Sequence, residues 1–122
     1  MRRPGGWVLT VRDGPRVSRQ RYDTLDEALT ELEERAAELA AQASRTEVTF
    51  FARRIDPGAQ VAIRLEVAGP WRQGSLRGGV DLRGDGSAEA FTGRVRRSLI
   101  EQRRGESATA ALRRVLGASS AA

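Results

Sequence analysis

RGGVDLRGDGSAEAFTGR, residues 77–94, holds five glycines in eighteen residues, and the fold turns on whether it is a ligand loop or two strands joined by a tight turn. The ligand readings fail residue by residue. A phosphate-cradling Walker loop needs a lysine, and every one of the 21 cations of this chain is arginine. A dinucleotide-binding fingerprint needs Gly-x-Gly-x-x-Gly, but Glu89 stands where the third glycine is due. Asp81, Asp85 and Gly86 match positions one, five and six of a calcium loop, yet Arg83 fills position three and Thr92 replaces the bidentate glutamate of position twelve. Arg83-Gly84-Asp85 spells an integrin-type tripeptide, which recurs by chance in a chain rich in arginine and glycine. The turn reading needs no special ligand: Gly84 and Gly86 accept positive φ, and an aspartate between them bonds its own backbone. Leu76, Val80 and Leu82 then alternate with Arg77, Asp81 and Arg83 on one strand, and Phe91, Val95 and Leu99 with Ala90, Thr92, Arg94 and Arg96 on the next. A helix over 92–104 is the alternative for that second strand, because Val95, Leu99 and Ile100 also fit a helical face.

Working outward, the same period of two predicts two further hairpins. WVLTVRDG (7–14) alternates Trp7, Leu9 and Val11 against Val8, Thr10 and Arg12, turns at Asp13-Gly14-Pro15, and returns as RVSRQRYD, a basic strand carrying Arg16, Arg19 and Arg21. TEVTFFARRI (46–55) alternates Val48, Phe50 and Ala52 against Phe51, Arg53 and Ile55. It turns at Asp56-Pro57-Gly58 and returns as QVAIRLEVA, with Val61, Ile63, Leu65 and Val67 on one face.

Between the first two hairpins the period becomes helical. Leu25, Ala28, Leu29, Leu32, Ala36, Leu39, Ala40 and Ala43 recur at three-and-four spacing, and Thr24 with Glu27 has capping-box spacing. A second helix is predicted over GESATAALRRVLG, capped by Ser107 and stopped by Gly117. VRDG, strand, TLDEAL and LRGDG, strand, SATAAL echo each other as hairpin, hydroxyl cap and helix. The expected fold is α+β: a mainly antiparallel sheet of about six strands in three hairpins, with two helices on one face, in the order ββα-ββ-ββα. A flexible basic arm is expected over 1–6, one domain over 7–117 and a disordered tail over 118–122.

Composition narrows the chemistry. A chain of 122 residues fits a single core. It has no cysteine and no histidine, so thiolate and imidazole chemistry and the common zinc, iron and copper sites are excluded. Without lysine there is no Schiff base either. Carboxylates, hydroxyls, arginines and one tyrosine remain; Asp56, Asp81, Asp85 and Glu89 are the only set that invites Mg²⁺, and no placement supports it. A non-enzymatic protein without cofactor is expected. No apolar run approaches the length of a membrane span, and a cytoplasmic location without membrane partners is the default expectation.

Charge is segregated along the chain. Residues 1–22 carry six arginines and Asp13, 23–47 eight acids and two arginines, and 48–122 thirteen arginines and seven acids. If both helices cover one face, alternation puts Arg12, Arg53, Arg64, Arg77, Arg94 and Arg96 on the other with Phe51, and Arg2, Arg3 and Trp71 lie beside it on the arm and a loop. Guanidinium groups bond phosphates and stack on bases, and aromatics add stacking surface. The expected function is nucleic-acid binding through this face, DNA ahead of RNA. Against it, Glu66, Asp81 and Glu89 are placed to pair with those arginines across strands, which would leave an ordinary solvated face. A protein-interaction adaptor or homodimer is the competing expectation. The opening hairpin followed by YDTLDEAL (22–29) resembles the strand-strand-helix modules with which some phage-type recombinases hold DNA; the likeness covers the first third of the chain and assigns no site residue.

Overall fold

The computed structural model describes residues 6–50, 61–70, 76–93 and 97–121, with the backbone alone for 43–50, 61–62 and 119–121. The elements are β1 (Trp7–Asp13), β2 (Arg16–Tyr22), α1 (Leu25–Phe50), β3 (Val61–Ala68), β4 (Arg77–Arg83), β5 (Ala88–Thr92), β6 (Ser98–Leu99) and α2 (Ala108–Ala121). The strands form one antiparallel-paired sheet in the order β2-β1-β3-β4-β5-β6. The α+β class, the six strands and the two helices on one face are as the alternation predicts. Because β1 is antiparallel to both β2 and β3, β2 and β3 run parallel, and α1 is the crossover that joins them over β1.

Strand alternation builds the core. Trp7, Leu9 and Val11 of β1, Ile63, Leu65 and Val67 of β3, and Val80 and Leu82 of β4 are buried on the helix side. They meet Ala28, Leu29, Leu32 and Ala36 of α1 and Ala108, Leu112 and Leu116 of α2. Full burial of a leucine such as Leu32 is worth about 2 kcal/mol.

Local chemistry fixes the ends of the elements. Thr24 Oγ1 accepts the Glu27 N–H at 3.1 Å and donates to Glu27 Oε1 at 2.9 Å, and Ser107 Oγ accepts the Ala110 N–H at 3.1 Å. Gly14, at φ +60°, is the first residue of the two-residue β1–β2 turn; proline at the second position forbids a type I′ turn, so this is type II′. In the β4–β5 turn the Gly86 N–H donates to the Arg83 carbonyl at 2.9 Å, the Arg83 N–H to the Ser87 carbonyl at 2.9 Å, and the Ser87 N–H to Asp85 Oδ1 at 2.9 Å. With Gly86 at φ +87°, this is a three-residue hairpin loop whose last residue is left-handed. The glycine-rich stretch 77–94 is thus two strands and a turn.

Helix-to-helix packing is pinned by Arg113. Its guanidinium donates to Asp26 at 2.5 Å, to Glu33 at 2.6 and 3.2 Å and to Thr30 at 3.0 Å, so α2 is clasped to the outer side of α1.

Four expectations need correction. The predicted strand 46–55 is helical through Phe50 as the end of α1, and its residues 51–55 lie outside the described residues. No glycine or proline interrupts Leu25–Phe50, and a docked helix propagates through β-branched residues because propensity is a weak force beside packing and nucleation. Six strands are reached nonetheless because the strand expected within SAEAFTGRVRRSLIE (87–101) is two, β5 and the short β6, so the element order ββα-ββ-ββα holds while the strands that fill it differ; the described part of 92–104 is not helical. Gly117 does not stop α2, which continues to Ala121 over most of the expected tail. Finally, β5 has the opposite parity: Ala90 faces the helices and Phe91 the other side. The predicted arm over 1–6 lies, but for Gly6, outside the described residues.

The segment from β6 to α2 is tied by Glu106. Its carboxylate accepts Arg114 Nε and a terminal guanidinium nitrogen at 2.9 Å each, and the Arg103 N–H at 2.9 Å. These bonds, the Arg114 pair foremost, pull its pKa down to about 2. A depressed carboxylate stabilises the fold above its unfolded value and loses that contribution as pH falls through its folded value. The melting-temperature difference between the native chain and Glu106→Gln should therefore be full above about pH 5, shrink below the ordinary glutamate range, and close near the folded value of about 2. A pH series of thermal melts on both proteins checks it; a difference that does not vary with pH would rule out the carboxylate as the tie.

Candidate nucleic-acid interface

On the sheet face away from the helices, register brings unlike charges together. Arg64 lies opposite Asp81, which lies opposite Glu89; Glu66 lies opposite Gly79. Arg64 Nε and a terminal nitrogen engage the two Asp81 oxygens at 2.5 and 2.9 Å, a bidentate pair. Arg77 reaches Glu66 at 3.3 Å and Arg83 reaches Glu89 at 2.7 Å. The bond to Asp81 raises the Arg64 pKa, and the bond to Glu89 raises that of Arg83. Each of these three guanidinium groups already holds a carboxylate.

The middle of this face is closed by Phe91. Its side chain is 1% exposed, beside Gly79, with the Arg64 guanidinium 5.4 Å and the Arg97 guanidinium 5.0 Å from the ring centroid. Both lie within cation–π range. Gly79 leaves the hollow that the ring fills, and the two arginines roof it. The face is a ladder of ion pairs over one aromatic.

The sequence-predicted site residues therefore part company. Arg64 and Arg77 are on the predicted face but paired. Arg12 is on the same face, exposed, and pairs with no acid among the described residues. Arg2, Arg3, Phe51, Arg53, Trp71, Arg94 and Arg96 lie outside the described residues.

Alternation undervalues β2. Residues 16–21 are exposed on both faces, because the strand is at the sheet edge and α1 covers only its Tyr22 end. Burial against α1 raises the Tyr22 pKa, with a smaller contribution from Glu31. Arg16 and Arg19 point to opposite faces of β2, and neither forms a salt bridge among the described residues, although Asp13 stands opposite Arg16 in the ladder. Arg12 faces Val17 across the ladder, which makes Arg19 its diagonal neighbour at about 7–8 Å. The signal for this surface is present in RVSRQRY, where neither alternate set is apolar. α1 concentrates the opposite charge in Glu27, Glu31, Glu34 and Glu38.

Among the described residues no group of three acidic side chains is placed to hold a metal ion, and no helix is long and apolar enough to cross a membrane. In comparisons with protein-family models, curated proteins and solved structures, nothing matches this chain.

Proposed function

We propose that the protein binds nucleic acid without catalysis, duplex DNA ahead of RNA, through the β1–β2 ribbon. The observation that carries this reading is that Arg12, Arg16 and Arg19 are exposed on one two-stranded ribbon and form no salt bridge among the described residues, with Asp13 the one acid opposite them in the ladder, across from Arg16, while the arginines of the central strands hold carboxylates. Free guanidinium groups release counterions from a phosphate backbone; paired ones must first break an ion pair. Arg2 and Arg3 precede β1 directly in sequence and add two further cations to this part of the chain. A two-stranded ribbon suits the wide major groove of B-form DNA better than the deep, narrow groove of A-form RNA.

The test is fluorescence anisotropy with duplex DNA, single-stranded DNA and structured RNA over a salt series. Binding should weaken log-linearly with salt, and replacing Arg12, Arg16 and Arg19 by alanine should flatten the duplex slope by about 0.9 for each phosphate that is no longer neutralised. Arg77→Ala, which removes an ion-paired cation, should leave the slope alone. No binding at low salt, or an unchanged slope in the triple variant, would refute the reading.

A further inference from the structure

β2 offers a second kind of contact that does not depend on its side chains alone. All seven residues pair with β1, and no strand among the described residues pairs with its other side. The strand contains no proline and its ladder with β1 has no register shift. Proline, bulges and charged side chains are the usual devices that make an edge refuse a neighbour, and of these β2 carries only charge, which turns away like-charged strands but not an acidic one. A regular edge strand presents a row of backbone N–H and C=O groups ready to accept another strand.

Side-chain charge decides which strand fits. In an antiparallel pairing of β2 with a second copy of itself centred on its middle residue, Arg19 would face its own counterpart, and like charges directly opposite oppose pairing. An extended segment bearing carboxylates finds the reverse. Arg16 and Arg19 are three residues apart and so project to opposite faces. The complementary strand has two acids three residues apart, one for each face. Val17, 44% exposed, adds an apolar contact for a β-branched neighbour.

We infer that the free edge of β2 is a docking site for an extended acidic segment of a partner protein, added to the sheet as a seventh strand with carboxylates three residues apart opposite Arg16 and Arg19. The acids of such a segment would occupy the same cations that the proposed nucleic-acid surface uses, so the two ligands exclude each other. The inference stands without that proposal, because the edge and its charges are properties of the strand itself.

The probe is a fluorescent Thr/Val-rich peptide with two glutamates three residues apart, compared with its lysine counterpart and with two forms N-methylated on alternate amides, one for each alternate set. No nucleic acid is present, so the result is separate from that of the DNA titration. The glutamate peptide should bind and the lysine peptide should not; N-methylation of one alternate set should weaken binding at least about tenfold, since it removes the edge hydrogen bonds while leaving every charge. Arg16→Glu with Arg19→Glu, both at exposed positions, should reverse the preference to the lysine peptide. Failure of the glutamate peptide to bind, or full affinity in both N-methylated forms, would overturn the inference: the first leaves no site, and the second leaves charge attraction without strand addition.

Discussion

Gly79→Ala should lower unfolding stability by about 3 kcal/mol, a large effect for one methyl group. Gly79 lies mid-strand in β4, paired with Glu66 on one side and Phe91 on the other. A Cβ there would overlap the Leu65 carbonyl oxygen and come within 2.9 Å of Phe91 Cζ. The ring is part of a side chain, but the carbonyl belongs to the β3 backbone and cannot turn aside without disturbing the ladder. Urea unfolding followed by circular dichroism checks this. A midpoint equal to that of the native chain would mean that the ring and the β3 backbone do not crowd β4 as described. Gly78, its neighbour, serves the other face: a Cβ there would approach a Leu112 methyl and the Phe91 carbonyl, each at 2.9 Å, so its bareness lets α2 settle onto the sheet. Two adjacent glycines thus admit close neighbours from both sides of one strand.

Phe91→Ala should be of similar size, about 3 kcal/mol, even though the residue lies on the face without helices. The ring is buried beneath Arg64 and Arg97, so truncation opens a cavity and removes the surface on which both guanidinium groups rest. Substitutions on an ordinary solvated face cost about 0.5 kcal/mol or less, and a value in that range would show that Phe91 is not an enclosed residue. Phe91→Leu should recover much of the loss. The double variant with Gly79→Ala supplies a sharper check. Removing the ring eliminates one of the two clashes at Gly79, so the combined loss should be smaller than the sum of the single losses, leaving the Leu65 carbonyl overlap as the remainder.

Legibility from sequence follows the range of the interactions. The first hairpin, the start of α1 at Thr24, the Ser107 cap and the Asp85 turn are set within a few residues, and each is readable. The end of α1 is not: Thr46, Val48, Thr49 and Phe50 carry strand-type side chains with strand-type alternation, and only the helix already formed before them decides otherwise. Phe91 misleads for a similar reason. Its neighbour Ala90 is the smaller apolar residue and so the weaker claimant to the core, yet the hollow above Gly79, on another strand, takes the ring and turns Ala90 inward. The arginine-bearing face is readable as a face, since Arg12, Arg64 and Arg77 do share it. Its neutralisation by Glu66, Asp81 and Glu89 is readable as well, since alternation puts these acids on the same face; which acid meets which arginine depends on register, as Arg64 meets Asp81 across seventeen residues of chain. The cations of β2 are visible as charge, but the exposure of Arg16 and Arg19 on opposite faces follows from edge position, which alternation does not reveal.

The manner in which β2 is held has a dynamic consequence. The strand is held chiefly by the hydrogen-bond ladder to β1 and by contacts at its Tyr22 end, whereas β3 and β4 are flanked on both edges and roofed by helices. Stripping it away exposes little apolar surface, so its amides belong to the first tier to lose protection in native-state hydrogen exchange, through a fraying event far cheaper than global unfolding. The cations of this strand thus ride on the part of the sheet most able to shift and adapt its shape to whatever polyanion it meets.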